Sequence, residues 1–375
     1  MENNSPRKMP SFLLVGLGGS GCNAVKEVHQ QLPAIPILLI DTDERSFIDV
    51  SEDRFFSVGN NVTNGLSSGG DVELGRQSIE KEASRLRARF DSVDLLLIVT
   101  GLGGGTGTGA TPVLVRIARE AKAQTLVLVS LPFAFEGKRR RQVAEDAIRR
   151  MRSNADAIIQ LPNERLKREV AEDTSLAAFS LSHRYMKDAA ESLWYMCSFN
   201  GQCGLDFASI HTLLRACDGF CHIASVEFSG MDQAEKAGRA LLEHPLMNRG
   251  LLLEGAAGVI VSIQGNHALR MQEIEIIMEQ LGNKLPEETH INFGVSIDEK
   301  QIGLKVVILV TEAWKEPLVE SETSIFTNRS GFGQGELALG SSGSKGIFSG
   351  MDATVKNSED LDIPTYLRKN IKLPR

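Results

Sequence analysis

Apolar residues fall in short runs at Ser11 to Val15, Ile35 to Ile40, Leu95 to Val99, Gln124 to Leu131 and Ala157 to Leu161. Between them lie charged stretches in which apolar positions recur at helical spacing. These are Asn23 to Gln31, Val72 to Arg89, Pro112 to Lys122 and Lys138 to Arg152. Short buried strands alternating with amphipathic helices predict a doubly wound, mostly parallel α/β sheet. A long helical run from Ser175 to Phe199 closes this part. Beyond it the rhythm changes. Helical runs at Phe207 to Cys217, Asp232 to Glu243 and Leu269 to Leu281 are interspersed with strands at Cys221 to Phe228, Ala256 to Ile263, His290 to Ser296 and Leu304 to Val310. That mixture predicts a smaller α+β second domain joined by a long central helix.

Past Trp314 the chain turns rich in Ser and Gly, the signature of a flexible tail. Apolar and basic character returns near the end, in Leu361, Ile363, Pro364, Tyr366, Leu367, Arg368 and Lys369, which suggests a docking peptide on a tether. The expected segments are a disordered 1–10, a nucleotide-binding domain 11–174, a central helix with its following loop 175–203, an α+β domain 204–313, a linker 314–358 and a docking peptide 359–375.

The loops between the first elements carry the candidate chemistry. Gly101 to Gly109 reads GLGGGTGTG and stands between a strand and a helix. Without Cβ atoms the backbone N–H groups can close on an anion, and a helix N-terminus adds positive potential. A second loop, Gly16, Gly18 and Gly21, fits G-x-G-x-x-G after the first strand, and Asp41 ends the next strand. Alone, that pattern suits a dinucleotide-dependent oxidoreductase. Two glycine loops facing one site instead suit a compact polyanion such as a nucleotide polyphosphate. No G-x-x-x-x-G-K-[ST] occurs, which excludes an ordinary P-loop protein.

Composition narrows the setting. A net charge of −7 offers no general attraction to nucleic acid. No apolar run reaches the roughly 18 residues of a membrane span, and Met1 to Pro10 lacks an apolar signal core, so a cytoplasmic location is expected. Five cysteines suit reduced thiols. Cys217, Cys221 and His222 have no second ligand pair at suitable spacing, so no metal site is expected from them.

With these motifs in place, the chain resembles the family of tubulin and FtsZ, the bacterial cell-division tubulin homologue. Gly103 to Gly109 is similar to the tubulin signature loop, and Gly16 to Val25 to the first glycine loop. Phe133 to Arg140 resembles the ribose-binding segment, Leu161 to Leu166 the base-binding loop, Asp206-Phe207-Ala208 the start of the synergy loop, and Leu361 to Lys369 the C-terminal anchor-binding peptide. The resemblance implies GTP/GDP binding, Mg2+ with the nucleotide, and head-to-tail filaments in which the next subunit completes hydrolysis. It implies phosphate or base contacts for Gly18, Gly19, Ser20 and Asn23, and an α/β-phosphate wrap by Gly104, Gly105, Thr106, Gly107 and Thr108. Gly69 and Gly70 fall near the γ-phosphate, Glu136 at the ribose, Arg140 near the phosphates, and Asn163, His183 and Arg184 at the base. Asp206 is the catalytic carboxylate. Ile363, Pro364, Tyr366, Leu367 and Arg368 would meet a membrane anchor or division protein beneath the inner membrane, at the division site.

The pattern departs from the family at chemically important points. Gly204 replaces an amide and Ser209 a carboxylate in the synergy loop, and a neutral serine is a poor base. His183-Arg184 stands where the family reads guanine with Asn-Asp, and arginine cannot accept a hydrogen bond. Two readings follow: a divergent cell-division GTPase that either hydrolyses slowly or uses Glu227, Asp218 or another carboxylate in compensation, and a non-hydrolysing paralogue that acts as a scaffold or modulates a second FtsZ.

Overall fold

The computed structural model describes residues 11–170, 174–198, 210, 220–299 and 301–312, with the short pairs 355–356 and 359–360. The first half runs β1 (Phe12–Leu17), α1 (Gly18–Gln31), β2 (Ile37–Asp41), β3 (Phe55–Ser57), α2 (Asn60–Thr63), α3 (Val72–Glu80), α4 (Ala83–Phe90), β4 (Leu95–Gly101), α5 (Thr106–Glu120), β5 (Gln124–Leu131), α6 (Lys138–Met151), β6 (Ala157–Pro162) and α7 (Asn163–Leu166). The long helix α8 (Ser175–Ser198) follows. The second half runs β7 (Phe220–Phe228), α9 (Gln233–Glu243), β8 (Ala256–Gly265), α10 (Met271–Gly282), β9 (His290–Ile297) and β10 (Leu304–Glu312). In the segment that follows, Val355–Lys356 pairs antiparallel with Glu359–Asp360. The helical run expected at Phe207 to Cys217 lies outside the described residues except for Ile210, and so do the synergy loop and most of the tail.

One ten-stranded sheet holds both halves, in the order β3-β2-β1-β4-β5-β6-β7-β10-β8-β9. From β3 to β7 every neighbour is parallel. β10 then runs antiparallel to β7 and β8, while β9 is parallel to β8. The predicted α+β part thus extends the first sheet rather than building a separate one. Strand alternation sorts the first half's core into two layers. Leu14, Leu97, Leu128 and Ile159 meet α1 and α8 on one face; Val15, Ile98, Val129 and Ile158 meet α3 to α6 on the other.

Two helices begin earlier than hydrophobic periodicity predicts, and close packing is the reason. α1 starts at Gly18, and a Cβ at Gly21 would collide with the Val99 carbonyl of β4. α5 starts at Thr106, with Pro112 inside it rather than at its head. That proline removes the N–H that would bond the Thr108 carbonyl. The expected run Val72 to Arg89 breaks into α3 and α4 where Glu82 leaves helical geometry.

Candidate functional site

The carboxyl ends of β1, β2, β4, β5 and β6 open on one cleft of about 320 Å³, with α8 along its side. That is where doubly wound sheets bind ligands, and the volume suits a small molecule. The β1–α1 turn brings Gly18, Gly19 and Ser20; the β4–α5 loop brings Gly101, Leu102 and Gly104 to Gly107. The two loops nearly touch, since a Cβ on Gly18 would lie 3.0 Å from the Gly107 nitrogen. Neither α1 nor α5 has a side-chain cap or an acidic first-turn residue. Their first-turn N–H groups, which no intrahelical carbonyl can reach, make two adjacent positive ends.

Hydroxyls brace this floor. Thr106 Oγ1 bonds Thr42 Oγ1 at 2.8 Å and Ser68 Oγ at 3.1 Å. The Gly103 N–H donates to Thr108 Oγ1 at 2.8 Å, so Thr108 shapes the loop from beneath. Gly104 differs from its neighbours: beyond the adjoining residues, nothing of the chain lies within 4 Å of where its Cβ would be.

The other end of the cleft is amide, hydroxyl and aromatic. Asn163 is buried, and its Oδ1 accepts from Ser182 Oγ at 2.7 Å and Ser130 Oγ at 3.3 Å. This leaves its Nδ2 group, a donor, for a ligand. Phe133 is buried, stacks on Phe135 at 5.0 Å and meets Phe179 edge-on at 5.8 Å. Phe179 lines the cleft, and Phe135 beside it is 60% exposed. Glu136 accepts from the Phe133 N–H at 2.9 Å and from Arg140 Nη1 at 2.6 Å. Both side chains of that pair also face the cleft.

Two acids sit on the floor. Asp43 is held low by its hydrogen bonds to Arg45. Asp41 is buried, and desolvation raises its pKa despite donation from Ser46 Oγ at 2.6 Å and the Thr42 N–H at 2.8 Å. A raised carboxyl pKa means that its contribution to stability is present at low pH and fades as pH climbs through the folded value. A polyanion alongside pushes the group further up. Asp41→Asn should therefore tighten binding of a polyanion such as inorganic tripolyphosphate about fivefold in the absence of divalent cations, the scale of one weakly screened like-charge contact. It should also flatten the decline of affinity with rising pH; calorimetric titrations at several pH values check both effects.

Of the residues expected from sequence, Gly18, Gly19, Ser20, Gly104, Gly105, Thr106, Gly107, Glu136, Arg140, Asn163 and His183 line this cleft. Asn23 faces an adjoining hollow that shares His183. Gly69 and Gly70 are exposed and stand off the lining, although Ser67 and Ser68 beside them belong to it. Arg184 is exposed, outside the lining, and Asp206 lies outside the described residues. Sequence reasoning missed Asp43, Ser46, Ser68, Ser130 and Ser182. Asp43 and Ser46 follow β2 at its carboxyl end, a position that could have pointed to them; the other serines carry no local signal.

Residues 11–171 match the Tubulin/FtsZ family, GTPase domain, and residues 219–313 match the FtsZ family, C-terminal domain. The cell division protein FtsZ of Buchnera aphidicola subsp. Schizaphis graminum is 30% identical over 83% of this chain and 80% of its own. The cell division protein FtsZ of Wigglesworthia glossinidia brevipalpis is 29% identical over 95% of each. Among solved structures, an empty FtsZ dimer from M. jannaschii superposes with a TM-score of 0.74 at 26% identity, covering 82% of this chain and 89% of that one. CetZ2 of Haloferax volcanii, solved as a GTPγS-bound protofilament, shares the fold at 19% identity and a TM-score of 0.64, over 82% of this chain and 94% of that one. The paired glycine loops, the sheet that carries them and these likenesses agree: the chain belongs to the tubulin/FtsZ family of cytoskeletal GTPases, whose members include the cell-division FtsZ proteins.

Proposed function

We propose that this chain binds GTP and GDP in the cleft and assembles head-to-tail into filaments that serve cell division. The observation that carries the reading is the opposition of two glycine loops over the uncapped first turns of α1 and α5. Phosphates would sit against Gly18 to Ser20 and Gly104 to Gly107, the ribose near Glu136 and the base toward Asn163 and Phe179. Among the described residues no three His, Cys, Asp or Glu side chains gather to hold a metal. A Mg2+ ion would therefore ride on the nucleotide's phosphates, as that ion commonly does, and supply charge neutralisation there.

Self-assembly is supported by exposed apolar side chains beside the carboxyl ends of β7 and β8 and the start of β10. Met231, Met271 and Ile302 are 85%, 67% and 79% exposed. Their turns are tied together: Gly303 crowds Ser229, Gln233 Nε2 donates to Glu273 Oε1 at 2.6 Å, and Asn266 Nδ2 donates to the Gln301 carbonyl at 3.3 Å. Exposed apolar side chains of this kind suit a contact with another copy of the chain. The M. jannaschii relative was solved as a dimer.

Hydrolysis would be slow, completed by Asp206 of the next subunit without the amide and second carboxylate that Gly204 and Ser209 replace. Turnover per subunit should rise steeply with protein concentration alongside GTP-dependent pelleting, and Ser209→Asp should raise it by roughly 10²-fold, the lower range of general-base effects. GTP-dependent pelleting with no turnover would favour the non-hydrolysing paralogue, to which the same two substitutions point. Absence of nucleotide-dependent assembly refutes the filament. Among the described residues no helix is long and apolar enough to cross a membrane. Recruitment to the division site would fall to the peptide containing Ile363, Tyr366 and Arg368.

A further inference from the structure

The short helix α7 is only four residues long, Asn163–Leu166, too short to be stable on its own. Its position is therefore set by what its side chains hold, and each holds something different. Asn163 enters the base end of the cleft and is gripped by Ser130 and Ser182. Glu164 Oε2 accepts the Ala134 N–H at 2.8 Å, on the turn that carries Glu136. Arg165 reaches the other way. Its Nη1 donates to the Leu246 carbonyl at 2.8 Å and lies 3.5 Å from Nδ1 of His222, both buried and both in the second half of the chain. Leu166 is fully buried in the core.

The segment that receives Arg165 is itself well ordered. The Leu246 N–H donates to His244 Nδ1 at 3.2 Å. Burial pushes that imidazole down to about 4, so it stays neutral and able to accept. Tyr185 meets the His244 ring edge-on at 5.6 Å and donates its hydroxyl to Glu169 just beyond α7. Tyr185 lies one turn along α8 from Ser182, so α7 and α8 both span from the cleft to the 244–249 segment.

We propose that Arg165 is a positioning residue of the nucleotide site, and that α7 couples occupancy of the cleft to the placement of residues 244–249. The proposal rests on the nucleotide reading above. Coupling of this kind is reciprocal: if the second half sets where Asn163 stands, a base that engages Asn163 must steady the second half. The charge-assisted bond from Arg165 is a direct side-chain tie from α7 to that segment.

The test compares the full chain with Arg165→Gln and Arg165→Lys. Affinities for GTP and for inorganic tripolyphosphate are measured by calorimetry, and amide exchange at Leu246 to Arg249 is followed with and without GTP. Arg165→Gln should weaken GTP about tenfold while tripolyphosphate changes less than about twofold, within the usual range of couplings between sites. GTP should slow exchange at 246–249 in the wild type, not in Arg165→Gln, and again in Arg165→Lys. Equal weakening of both ligands means a merely structural arginine and overturns the proposal. So does a wild type that binds GTP with unchanged exchange at 246–249, a result that stands even if the Gln variant does not fold. A wild type that binds neither ligand refutes the nucleotide reading and the link with it.

Discussion

Gly104→Val should weaken nucleotide binding about a hundredfold while the protein stays folded. Most glycines of the two loops are hemmed in by the chain itself. A Cβ on Gly105 would run into Ser68 Oγ and lie 2.7 Å from the Asp71 carbonyl oxygen, and one on Gly107 would press on the Gly101 carbonyl. Substituting them damages the fold and the site together. Gly104 lines the cleft with nothing beyond its chain neighbours within 4 Å of its Cβ position, and its φ is not left-handed. The branch point of a side chain there has open space in the cleft, where a ligand would sit. An obstruction that displaces a phosphate by about an ångström costs on the order of 10²-fold, whereas the melting temperature should move little, as for other substitutions that touch nothing buried. Calorimetric titration with GTP beside a thermal melt separates the two effects. Wild-type affinity in this variant would mean that phosphate does not rest on this loop.

Gly109→Ala should do the reverse, injuring the fold first. Here α3 and α5 approach backbone to backbone: a Cβ on Gly109 would strike the Val72 carbonyl and lie 2.7 Å from the Arg76 nitrogen. Across the same contact, a Cβ on Gly75 would come within 2.5 Å of the Gly105 oxygen. Neither obstacle is the loose end of a side chain, so the helices must part. Overpacking of this sort costs about 1–3 kcal/mol, at roughly 1–2 °C of melting temperature per kcal/mol in a chain of this size. Because Gly105 is the residue just before α5, moving α3 also deforms the cradle, and nucleotide affinity should fall with stability. A melt that matches the wild type would show that α3 yields without cost.

Much of this was readable in advance. Strands β4 and β5 declare themselves by continuous apolar runs, and the cradle by six glycines between a strand and a helix. The helix starts were misjudged because glycine reads locally as a breaker, while Gly21 and Gly107 serve as helical residues that let one backbone approach another. Thr42, Ser68 and Thr106 illustrate a different limit. They lie far apart in sequence, and their hydroxyls meet only once β2 and α5 pack over the same cleft. The burial that lifts the Asp41 carboxyl is likewise tertiary; in the sequence it is simply an acid that ends a strand. The position of Arg165 against Leu246 could not have been inferred from the spacing of any motif.

The shared sheet also bears on how such a protein can be recombined. β7 pairs with β6 at Ile158↔Phe220 and Ile159↔Cys221, and with β10 along eight residue pairs from Phe228 to Cys221. Cys221 and Ile223 belong to the same buried cluster as Ile159, Leu181 and Leu193. A chimera that takes its front from one relative and its back from another has no clean place to be spliced. Cutting before β7 asks foreign side chains to complete the first core, and cutting after it asks a foreign strand to accept β10. Exchanges that succeed should carry β7, α8 and the facing residues of β6 as one heritable block.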